Sequence, residues 1–121
     1  MRFFVFPLAA LGVMAGGFSD EPSEGQMKRA FEASLSAQVR NAMEFVAESG
    51  GPEAVQNIRQ AGSDRFAIRT FRKVDCAHAA DNAGYVCSFA VNIELVNGNL
   101  QRQMNGRFSS GSTGLAFAEE V

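Results

Sequence analysis

Few residues in this chain are of the kinds that carry chemistry. It holds one histidine, His78, and two cysteines, Cys76 and Cys87. Asp75, His78 and Asp81 follow one another at three-residue spacing and could touch one cation. A structural metal needs a closed, rigid ligand set, however, and a short polar loop does not supply one, so no metal is expected. Ser88 has no neighbour able to serve as a tuned general base, so the sequence offers no nucleophile-and-base pair. Glu32, Glu44, Glu48 and Glu53 fall on helical segments, where solvation is the ordinary fate of a carboxylate. Cys76 and Cys87 form neither a CxxC redox motif nor a zinc pattern. The expectation is a protein without a catalytic set and without a cofactor.

The chain has 121 residues, the usual size of one domain. Hydrophobic residues make up 46%, charged residues 20%, and the formal charge is −2. That balance excludes a disordered acidic tail, a low-complexity fibre and a nucleic-acid binder driven by bulk positive charge. Residues 1–15, MRFFVFPLAALGVMA, place Arg2 before an apolar run and end on small residues, the form of a secretory signal. Cleavage is expected after Ala15, or as late as Gly17. The run is too short to span a membrane and Gly16-Gly17 interrupt it. Loss of Arg2 would take the formal charge from −2 to −3. The protein is therefore expected in the periplasm or secreted, with no membrane span after cleavage. An oxidising compartment favours a disulfide between Cys76 and Cys87.

The elements follow from periodicity. Residues 16–22 read as a polar lead-in, and residues 23–121 as a single domain. Ser23 with Gln26 has the form of a capping box. Met27, Phe31, Leu35, Val39, Ala42, Met43 and Val46 then mark one helix face over about residues 24–48, closed by Gly50-Gly51. Pro52 opens a short second helix to Gln60. From Phe66 the period becomes two. Phe66, Ile68, Val74 and Cys76 form one apolar set, and Tyr85, Cys87, Phe89, Val91, Ile93 and Leu95 form the next. Asn97-Gly98 reads as a type I′ hairpin turn, pairing Leu95 with Leu100, Val91 with Met104 and Cys87 with Phe108, and setting Gly106 beneath Phe89. A disulfide would set Cys76 opposite Cys87, and hence Val74 opposite Phe89, Thr70 opposite Ile93 and Ile68 opposite Leu95. Residues 114–118 supply a fourth strand. The fold class is α+β: a long N-terminal helix and a short helix packed on a four-stranded antiparallel meander.

A long helix across such a meander resembles the cystatin-like or NTF2-like class. The stretches Phe71-Arg72-Lys73-Val74-Asp75-Cys76, Gly84-Tyr85-Val86-Cys87-Ser88-Phe89 and Gly106-Arg107-Phe108 are similar to small exported bacterial domains. That class hosts inhibitors, binding modules and enzymes alike, so the resemblance implies a fold more than a function. Inhibitory cystatins carry a Gln-x-Val-x-Gly hairpin loop, which neither turn of this chain reproduces.

The alternation places Arg72 and Arg102 on the core-facing side, opposite Val91 and Ile93. A buried guanidinium must be paired or reach water. A cleft between helix and sheet, lined by Arg72, Arg102, Thr70 and Tyr85, would take a small anionic ligand or a partner's acidic group. The outer face is expected to carry self-paired polar rows, including Arg69–Glu94, Lys73–Ala90–Asn105 and Asp75–Ser88–Arg107, with Phe71 its sole aromatic. That face lacks the unpaired bases and aromatics of a nucleic-acid platform. The leading functional expectation is a non-catalytic binding or assembly module of the bacterial envelope, meeting an envelope protein. An NTF2-like pocket protein, ligand carrier or enzyme, comes second, and a cystatin-type protease inhibitor third.

Overall fold

Ser23 opens helix α1 (Glu24–Ala61) with the expected capping box. Gln26 N–H donates to Ser23 Oγ at 3.1 Å, and Ser23 N–H donates to Gln26 Oε1 at 2.9 Å. The computed structural model describes residues 21–81, 83–111 and 114–120; the expected signal segment lies outside them. The two helices expected on either side of Gly50-Gly51 run as one element, broken only at Gly51, where φ is 75° and ψ −174°. Glycine tolerates that left-handed φ, and Pro52 begins the next turn with its ring outside any needed N–H bond. Gly62 caps the helix at φ 76°, its N–H donating to the Arg59 carbonyl, while Ser63 N–H donates to the Ile58 carbonyl at 3.1 Å.

Four strands follow: β1 (Ala67–His78), β2 (Tyr85–Leu95), β3 (Gly98–Gly111) and β4 (Gly114–Glu119). They form one antiparallel sheet in chain order, the expected α+β meander. Cys76 and Cys87 are directly opposed and disulfide-bonded.

Two details of register differ from the periodicity. In β1, pairing steps at Arg69 and again at Val74, the signature of bulges. Each extra residue reverses which face the following side chains occupy. Lys73, not Val74, therefore meets Phe89, and Val74 is 46% exposed. Phe71 turns inward and is 9% exposed, and the second step brings Ile68 back to the core side opposite Ile93. In the β2–β3 hairpin the loop is Val96-Asn97, with Leu95 opposite Gly98 at φ 138°. Val91 consequently meets Arg102, Phe89 meets Met104 and Cys87 meets Gly106. A slip of two residues keeps every side chain on its face, so the hydrophobic pattern cannot distinguish these registers.

The core is largely aromatic. Phe89, fully buried, stacks on Phe71 at 4.8 Å between centroids and meets Phe31 edge-on at 5.3 Å. Phe108 and Phe117 complete the cluster at 6.0 and 5.9 Å from Phe89. Offset and edge-on pairs of this kind add about 0.5–1.5 kcal/mol each beyond burial. Gly106 lies under Phe117 rather than Phe89; a Cβ there would be 2.1 Å from the Phe117 ring. Only the first turns of α1 close over the sheet, through Met27, Ala30 and Phe31, with Leu35 partly buried. Farther along, Phe45 is 67% exposed, so the helix covers less of the sheet than its apolar stripe implied.

Candidate binding surface

The outer face of the sheet carries an open depression of about 570 Å³. Two rows build it: Thr70–Asn92–Gln101 and Arg72–Ala90–Gln103. The small Ala90 methyl lies between the longer side chains of Arg72 and Gln103 in its row, which lowers the floor of the depression. Val91 and Arg102, at the same level of the sheet, complete the border. The Asn92 Oδ1 atom is buried without a hydrogen-bond partner, an unmet acceptor in the wall. An orphaned buried polar atom is uncommon and costs on the order of 1–3 kcal/mol.

Arg72 thus occupies the outer face, a reversal of its expected core-side position, and the bulge at Val74 is the cause. Arg102 shares a row with buried Val91, as a core-side residue would, but sits on an uncovered part of β3 and is exposed. Among the described residues neither guanidinium takes part in an ion pair. Of the four candidate residues, Thr70 and Arg72 stand together on the outer face around the depression, while Arg102 borders it only by its place on β3 and belongs by row to the other face. Tyr85 does not border it. It lies opposite His78, their rings 4.4 Å apart, with Tyr85 Oη 3.4 Å from His78 Nε2.

The expected cleft between helix and sheet is filled where Phe31 meets Phe89, and Phe31 is only 2% exposed. The outer rows are also re-paired by the two-residue slip. Asp75 and Ser88 align with Asn105, and Ser88 Oγ donates to Asn105 Oδ1 at 2.7 Å. Arg69 pairs with Glu94 at 3.2 Å, as the row predicted.

Arg107, expected in the Ser88 row, is instead held between two acids. Its Nη1 donates to Asp81 Oδ1 and Oδ2 at 3.1 and 3.0 Å, and its Nε lies 3.3 Å from Glu120 Oε2, close enough to pair but not aligned for a hydrogen bond. Asp81 also accepts from Ala83 N–H at 3.0 Å. That backbone bond and the guanidinium hold the Asp81 carboxyl below its ordinary range, and Asp81 in turn raises Arg107. This charge is therefore satisfied, in contrast with Arg72 and Arg102. Among the described residues no group of three or more His, Cys, Asp or Glu side chains could hold a metal, and no helix is long and apolar enough to cross a membrane.

Comparison with family models, curated proteins and solved structures finds no match to this chain.

Proposed function

We propose that this protein is an exported, non-catalytic binding module of the bacterial envelope, built on a cystatin-like plan, that holds an anionic group of its partner in the outer-face depression. The observation that carries the reading is the Arg72 guanidinium, in no ion pair among the described residues, standing on the outer face beside the hollow with Thr70, Gln101 and Gln103. The protein as a whole is acidic at −2, so a local cationic site on it favours an acidic group over a polyanion that needs a broad basic surface. The disulfide supports an oxidising compartment, and the Arg2-led apolar segment supports export. The packed Phe31–Phe89 contact favours a surface site over an interior NTF2-like pocket. The turn sequences give no support to protease inhibition.

The test is an NMR titration of the purified protein with inorganic phosphate and with a short glutamate-rich peptide. Shifts gathered on Thr70, Arg72, Asn92 and Gln101 to Gln103, weakened by Arg72→Gln, support the reading. Absence of saturable shifts with both probes overturns it. Export is tested separately, by the mass of the protein recovered from periplasm: a chain beginning at Gly16 or Phe18 is expected, and an intact Met1 contradicts it.

A further inference from the structure

The two edges of the sheet are treated differently. β1 is guarded: two bulges break its ladder, and the Lys73 N–H donates to Glu24 Oε2 at 2.9 Å. Lys73 Nζ also donates to the Pro22 carbonyl at 2.8 Å and pairs with Glu21. Bulges and charges of this kind are how natural sheets close an edge. β3 has no such guard over its first half. β4 pairs only with Gly106–Gly111, so among the described residues no strand covers Gly98–Met104.

The direction of the open hydrogen-bonding groups can be worked out. Glu120 N–H donates to the Asn105 carbonyl, so the main chain of Asn105 points away from β2. In an antiparallel ladder this orientation alternates from residue to residue and so recurs at every second one. The N–H and C=O groups of Asn99, Gln101 and Gln103 therefore point out of the sheet edge together. Two of these residues, Gln101 and Gln103, also border the Arg72 depression.

We infer that this open edge takes an extended acidic peptide segment as a fifth strand, pairing with Asn99, Gln101 and Gln103 while its alternate carboxylates, all on one face, meet Arg102. The inference rests on the binding reading above and names the partner of that same site. Charge selects the occupant: the open stretch Gly98–Met104 holds no acid and one base, the exposed Arg102, which makes no ion pair among the described residues. Main-chain bonds along the edge give affinity, and the alternate side chains of the incoming strand give selectivity. A second copy of this chain is a poorer fit. A two-fold pairing that engages all three outward residues is centred on Gln101, and it brings the Arg102 side chains of the two copies diagonally together, where like charges destabilise.

The test uses the peptide acetyl-Thr-Glu-Val-Glu-Val-Glu-Thr-amide and two derivatives, one N-methylated at every Glu and one at every Val. Only alternate N–H groups of an added strand face β3, so one derivative should lose affinity by roughly tenfold or more and the other should bind like the parent. Gln101→Pro removes one outward N–H without touching the β2 ladder and should weaken the parent peptide at unchanged circular dichroism. Equal binding of both derivatives overturns strand addition; if Arg72→Gln still weakens them, the anion-binding reading survives alone. Failure of the parent peptide and of phosphate overturns both. A dimer in sedimentation velocity that Gln101→Pro dissociates also overturns the inference, because the edge is then occupied by a second copy.

Discussion

Replacement of Gly106 by alanine probes the aromatic core at its tightest point. A Cβ at Gly106 would stand 2.1, 2.8 and 3.1 Å from Cε1, Cδ1 and Cζ of Phe117. Carbon atoms pack at about 3.5–4.0 Å, so the ring must retreat by roughly 1.4 Å or more. It cannot do so freely, because Phe117 is in edge or tilted contact with Phe31 at 5.3 Å, Phe89 at 5.9 Å and Phe108 at 5.2 Å. Gly106 is not among the glycines of positive φ, so alanine adds no backbone strain, and its lower unfolded-state entropy returns about 0.4–1 kcal/mol. Overpacking of about 1–3 kcal/mol plus partial loss of ring contacts leaves a net destabilisation of about 2–3 kcal/mol. Phe117→Ala alone should cost a comparable amount, since the residue is half-buried. In the double variant the new methyl enters space that the ring has left, so its cost should fall below the summed single costs by about 2 kcal/mol. The chain has no tryptophan and one tyrosine, so urea unfolding followed by far-UV circular dichroism, with the disulfide intact, is the suitable assay. Additive costs within about 0.5 kcal/mol would refute the argument, because they would mean that the ring does not lie over Gly106.

Three further outcomes follow from the same structure. Phe71→Ala should cost about 3–5 kcal/mol whereas Arg72→Ala stays within about 0.5 kcal/mol; the reverse order in urea titrations would place the bulge elsewhere. Reduction of Cys76–Cys87 should lower stability by about 3 kcal/mol on the chain-entropy account, and a melting temperature unmoved by dithiothreitol would contradict it. The Ala83 N–H and the Arg107 guanidinium hold the Asp81 carboxyl below the ordinary carboxylate range, so the unfolded chain takes up the proton first as pH falls. Its contribution is complete above the unfolded value and lost as pH falls through the lower folded one; the stability gap between wild type and Asp81→Asn should therefore shrink in acid, and a gap that persists to about pH 2 would contradict the pairing.

Much of the fold was legible because each signal had a single local meaning. Ser23 and Gln26 make a capping box wherever they start a helix, and Cys76 and Cys87 become neighbours once the chain is read as exported. The hairpin register was less legible. The Asn97-Gly98 turn and a shift of two residues satisfy the same alternation, so periodicity cannot separate them. The carboxylate partners of Arg107 were hidden for a similar reason. Asp81 lies in the β1–β2 loop and Glu120 beyond β4, and no periodicity links residues in a loop and a terminus to a strand between them.

The candidate site depends on the feature that periodicity reads worst. With uninterrupted alternation from Cys76, Arg72 would enter the core opposite Val91 and Phe71 would face solvent. One extra residue at Val74 exchanges them, moving a ring onto Phe89 and a guanidinium beside Ala90. The energetic preference for the exchange is large, since an aromatic side chain gains several kcal/mol on burial and an unpaired guanidinium loses as much. A second extra residue at Arg69 then returns Ile68 to the core. The paired bulges thus act over a window of about one strand turn, and what they leave on the outer face is a cation with no acid to meet. A bulge that served stability alone would be satisfied by a neutral residue at position 72. Arginine there, with no acid paired to it among the described residues, is the observation from which the proposed anion site starts.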